Sequence, residues 1–188
     1  MRRKDDNKQQ NIKQAVIKLI LAEGFHGASI SKIAKEAGVS PATVYIYYDN
    51  KDAMLHDIYR EYYNEVYIYL GNQVKREMSG EQFIECLVRA YYTYIIEYGE
   101  EFYFVEQFSS CPALTCRCEL SQERSQLSIL LDDFKKNQII KNVDNASISA
   151  IMFNPIKSIA SKYHNHRTEE ADSMLCDLIK MIQDALLR

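Results

Sequence analysis

The chain has 188 residues, 47% of them apolar, which is enough for a real core in one large domain or a small one plus a medium one. No apolar run approaches the ~18 residues of a membrane span, and the basic opening MRRKDDNKQQ lacks the apolar stretch of a secretory signal. The net charge of -3 speaks against a uniform nucleic-acid binder, but it is uneven: residues 1–60 carry ten Lys/Arg against seven acids, so a mildly basic end faces an acidic remainder.

The elements read as helices throughout. Ile12, Ala15, Val16, Leu19 and Ile20 recur at helical spacing, and Gly24 is expected to end that helix with Phe25 as a hydrophobic contact just beyond. Ser29 or Ser31 can cap the next helix, which buries Ile33, Ala34 and Ala37 and stops at Gly38. Ser40-Pro41 opens a third helix, with Ser40 as N-cap and Pro41 at the first helical position. A fourth starts near Lys51, with Ile58 and Tyr62 inward, and is expected to break at Gly71-Asn72. Glu81–Tyr98 and the short aromatic Glu101–Phe108 follow, separated by Gly99. Leu120–Lys136, Ala146–Tyr163 and Glu169–Leu187 complete about nine helices, with no strand-like alternation between them.

Residues 29–55, SISKIAKEAGVSPATVYIYYDNKDAML, hold the most specific signal. Gly38 permits a tight turn that sets two helices at a steep angle, the layout of a DNA-docking helix-turn-helix. The helix after the turn offers Pro41, Ala42, Thr43, Tyr45 and Tyr47 outward, small enough at its start to enter the major groove closely. Thr43 can reach a base edge or a phosphate, and its methyl can lie near a thymine methyl. Tyr45, Tyr47, Ser29, Ser31, Ser40 and Lys51 can reach phosphates. Val44 and Tyr48 are expected to face the head's own core.

On these residues the segment Ile30–Leu55 resembles the helix-turn-helix of the TetR family of bacterial transcriptional repressors. The matching positions are Ile33-Ala34, Ala37-Gly38-Val39-Ser40, Thr43-Val44-Tyr45, Tyr47-Tyr48, Lys51 and Leu55. Many members have His where Tyr47 stands and Phe where Tyr48 stands; the Tyr48 hydroxyl needs a partner if it is buried. The resemblance implies an all-α homodimer in the bacterial cytoplasm that binds double-stranded operator DNA and leaves it when a small molecule fills the body. The expected division is a DNA-binding domain over 1–55 and an effector-binding and dimerisation domain over 56–188.

In the body, Tyr91, Tyr94, Tyr98, Phe104 and Phe108 lie among glutamates. They are candidates to line an effector pocket for an aromatic or cationic molecule; ordinary core packing is the alternative. Ile148, Ile151, Ile156 and Ile159, with Leu175, Leu178 and Ile182, form stripes that can pair with a symmetry mate in a four-helix bundle or close the monomer core instead. Cys111, Cys116 and Cys118 allow a thiol- or metal-responsive regulator, with His164 or His166 as a further ligand, although the spacing matches no zinc motif. No cofactor or metal is expected. Catalytic motifs for hydrolases, phosphate loops and dinucleotide turns are absent, so an enzyme is not expected. A DNA-binding architectural protein, or one regulated by a protein partner instead of a ligand, stays open.

Overall fold

Hydroxyl and carboxylate side chains that accept the first free N–H groups fix where most of the helices begin. The computed structural model describes residues 6–110, 126–163 and 166–188. Among these, nine helices follow in order: α1 (Asp6–Gly27), α2 (Ile30–Glu36), α3 (Pro41–Tyr47), α4 (Lys51–Gln73), α5 (Gly80–Glu97), α6 (Gly99–Ser109), α7 (Gln126–Lys136), α8 (Asn145–Lys162) and α9 (Glu169–Leu186). Ser29, Ser40, Ser79, Asp144 and Thr168 cap α2, α3, α5, α8 and α9. Ser79 and Gln82 close a reciprocal capping box. The sole β feature among the described residues is an isolated bridge between Ile140 and Leu187, so the all-α expectation holds.

One expected helix end is met and one is corrected. Gly24 adopts φ 71°, ψ 178°, outside the helical region, so the regular helix ends there as expected and a short helical segment follows across the kink to Gly27. Gly71 does not break α4, which continues to Gln73. A Cβ built there would lie 3.4 Å from Cβ of Gln126, an ordinary van der Waals contact, so this glycine lies against the start of α7 without the packing demanding it.

The described residues divide into two compact units: 6–63 with 100–110, and 64–99 with 126–163 and 166–188. The boundary expected after residue 55 thus falls inside α4, and α6 belongs to the first unit.

The first unit is a helix-turn-helix head whose core is extended by α6. Ile12, Val16, Ile17 and Ile20 of α1, Ile33 and Ala34 of α2, Val44 of α3, and Met54, Leu55 and Ile58 of α4 are buried together with Phe104, Val105 and Phe108 of α6. Phe108 is the centre of an aromatic group. Its ring stacks on Tyr59 at 4.2 Å and meets Phe25 and His56 edge-on at 5.7 and 5.4 Å. The hydroxyls of Tyr59 and Ser109 lie 3.1 Å apart, tying α4 to the end of α6.

In the second unit α5, α8 and α9 pack against one another. Phe83 of α5 stacks on Phe134 of α7 at 4.5 Å, and Tyr91 meets Phe153 of α8 at 4.6 Å. Helix α8 runs unbroken through Pro155.

Candidate nucleic-acid interface

The turn that builds the interface rests on one backbone conformation. Gly38 has φ +67°, in the left-handed region that a side chain disfavours, and nothing lies within 4 Å of the place where its Cβ would be. Ser40 then restarts the helix: its Oγ accepts the Thr43 N–H at 3.1 Å and lies 2.9 Å from Thr43 Oγ1. Pro41 follows at the start of α3, where its missing N–H costs nothing.

Val44 and Tyr48 point into the core, as their spacing predicts. Ser40, Pro41, Ala42 and Tyr45 are exposed, and Thr43 and Tyr47 are half-buried. These six candidates therefore sit on one short helix and its cap. Ser29 and Ser31 are exposed at the start of α2, although Ser29 already accepts the Lys32 N–H at 3.3 Å. Lys51 is half-buried, and its ammonium donates to the carbonyl of Phe25.

Sequence reasoning passed over Ile46. It is 45% exposed, one helical turn beyond Ala42. The available signal was its position two residues from inward-facing Val44, on the opposite side of the helix.

The basic excess of the head is partly spent on internal pairs. Lys13 pairs with Glu61, Lys18 with Glu36 and Lys32 with Glu23. The Glu36 carboxylate raises the pKa of the Lys18 ammonium, which keeps it charged. Tyr48 is 5% exposed, and among the described residues its buried hydroxyl has no partner in hydrogen-bond geometry, although the Gln9 side chain is near enough to act on it. Burial raises the pKa of that phenol.

The five aromatic candidates of the body are divided between the two units. Phe104 and Phe108 lie in the core of the first unit, because the buried face of α6 turns toward α1 and α4. Tyr91, Tyr94 and Tyr98 lie on the second unit. There Tyr94 and Tyr98 join Tyr69 of α4, with ring centres 5.0 to 6.1 Å apart. Tyr94 is buried and Tyr98 is 44% exposed. Glu97 beside them is paired with Arg167 at 3.7 Å.

Of the dimer candidates, Ile148, Ile156, Ile159, Leu175 and Ile182 are buried within the second unit, where they close its own core. Ile151 is 43% exposed and Leu178 half-buried. Ile151 of α8 and Met174, Leu178 and Met181 of α9 are apolar residues that stay exposed or half-buried on these helices.

Cys111, Cys116, Cys118 and His164 lie outside the described residues. His166 is exposed. Among the described residues no group of three metal-ligating side chains occurs, and no helix is long and apolar enough to cross a membrane. Cys86 donates its thiol to the Gln73 carbonyl at 3.2 Å, and burial raises its pKa.

Residues 12–58 match the family model described as bacterial regulatory proteins, tetR family. Over 86 residues the chain is 26% identical to the fatty acid metabolism regulator protein of Bacillus subtilis, a match spanning 46% of this chain and 44% of that protein. Its fold is similar over 100% of its length to a TetR family transcription regulator from Marinobacter aquaeolei, at TM-score 0.80 and 26% identity, covering 99% of that chain. It is also similar to the regulator FadR of Bacillus subtilis, solved in complex with stearoyl-CoA, at TM-score 0.70 and 18% identity, over 92% of this chain and 96% of that one.

Proposed function

Because the head, residues 12–58, matches the tetR family model, we propose that this chain is a regulator of that family, a ligand-responsive repressor acting as a homodimer. The carrying observation is α3 itself: a capped, seven-residue helix set by the Gly38 turn, with Val44 and Tyr48 anchored inside and Ala42, Tyr45 and Ile46 outside. A helix held this way enters the major groove of one half-site. Exposed hydroxyls at Ser31, Ser40 and Tyr45, with Lys51, supply phosphate contacts that set its register.

Two copies are needed for two half-sites, and Ile151, Met174, Leu178 and Met181 are the residues we assign to that pairing. Release requires a ligand that favours a second arrangement of the head by a few kcal/mol. The packing of Phe104 and Phe108 into the head core supports α6 as the element that reports on the body, since any displacement of α6 disturbs the contacts of α1 and α4. We assign the effector to the second unit, at the Tyr69, Tyr94 and Tyr98 rings, because aromatic faces suit an aromatic or cationic molecule. A long-chain acyl thioester is the second reading, favoured by the partial match to the fatty acid metabolism regulator.

One binding experiment tests the whole. Fluorescence anisotropy with duplexes from the region upstream of the protein's own gene is expected to show binding that weakens steeply with salt. Either a cationic dye or stearoyl-CoA is then expected to release the DNA. Absence of binding at low salt would remove the regulator reading. Binding that neither compound relieves would favour regulation by a protein partner.

A further inference from the structure

We infer that α3 recognises its half-site chiefly through the 5-methyl groups of thymine, with Ile46 and Ala42 as the contacting side chains. The inference rests on the reading of the chain as a DNA-binding regulator and specifies what that site reads.

The outermost line of α3 is apolar. Ala42 and Ile46 are one helical turn apart, on the side opposite Val44, and both are exposed. In the same unit Ile12, Ile17, Ile20, Ile33 and Ile58 are all fully buried. Ile30 is half-buried, and Ile46, at 45% exposure, is the most exposed isoleucine described in this unit.

The polar chemistry of α3 points the same way. Its sequence, PATVYIY, contains no Arg, Lys, Asn or Gln, the side chains that make bidentate contacts to guanine or adenine. Thr43 shares its hydroxyl with Ser40 at the cap, which ties it to the helix start. Tyr47 is half-buried. Tyr45 is 55% exposed, but helical spacing sets it to one side of the Ala42–Ile46 line. An apolar ridge can discriminate a base edge in the major groove by contact with the thymine methyl, the one apolar group displayed there. Burying Ile46 against that methyl also removes an exposed hydrophobic surface from water.

The test removes the methyl and nothing else. Duplexes bound by the full-length protein are selected from a randomised pool, and each thymine of the enriched half-site is then replaced in turn by deoxyuridine. At one or two positions per half-site we expect affinity to fall about fourfold for one methyl, and on the order of 15-fold when both half-sites are changed, from the value of a buried methylene-sized group. In the Ile46→Ala variant the same replacements are expected to lose most of their effect. The position is exposed, so circular dichroism melting should match the wild type. Selected half-sites lacking thymine, or wild-type affinity indifferent to every replacement, would overturn the inference and leave the regulator standing. A pool from which no duplex is enriched would overturn both.

Discussion

Helices α3 and α9 are both two-faced, yet only α3 shows in its sequence which face is outside. In α3 the inward positions are Val44 and Tyr48, and most of the others are small or carry hydroxyls. In α9 the inner residues Leu175, Ile179, Ile182 and Leu186 are matched outside by Met174, Leu178 and Met181. When both faces are apolar, residue type no longer tells core from contact surface. The partner of each face is set by distant packing, which spacing along one helix does not encode.

The sharpest way to break this comparison is to cut the head where it depends on a distant segment. Phe108→Ala removes the ring that Tyr59, Phe25 and His56 enclose and is expected to cost about 3–5 kcal/mol in denaturant unfolding. Tyr98→Ala, at a half-open ring of the second unit, is expected to cost no more than about 1.5 kcal/mol. Equal losses would mean that α6 is not part of the head's core.

Gly38→Ala probes the local side. Space is open around the glycine, so the cost is backbone strain alone, about 1–2 kcal/mol. Gly38→Asn is expected to recover part of it, because Asn tolerates the left-handed region. DNA binding measured on both variants is expected to follow the same order. Ser40→Ala removes the cap of α3 and is expected to cost about 1 kcal/mol, read as a lower melting temperature.

Tyr48→Phe should move in the opposite direction. Deleting a buried hydroxyl that has no well-formed hydrogen bond among the described residues is expected to leave stability unchanged or raise it by up to about 1 kcal/mol. The alkaline limb gives the sign. Burial raises the folded-state pKa of Tyr48, so its contribution is fully present below about pH 10, the ordinary tyrosine value. It is lost as pH rises through the raised folded value. The Phe variant is expected to lose stability less steeply with rising pH in urea titrations above that point.

Much of the head was legible because its signals are local: a serine before each of α2 and α3, Pro41 in the first turn, and Gly38 between them. Among the described residues the helices were equally legible from periodicity. Less so was Gly71, where a residue that can end a helix is carried within α4, which continues to Gln73. Phe104 and Phe108 show the larger gap. Their aromatic character marked them as important, but nothing near them in the sequence says that they complete the core of α1 to α4. The same holds for Ile148, Ile156 and Ile159, whose apolar stripe was recognised while its partners were not.

Lys51 carries a last consequence. Because its ammonium is already held against the Phe25 carbonyl, much of the freedom of a long flexible side chain was surrendered when the head folded. A cation fixed in advance meets an anion with little further ordering, so attraction there is gained at nearly full strength. Exchanging that ammonium for a neutral acetylated amide would erase the fixed charge and loosen the joint between the end of α1 and the start of α4.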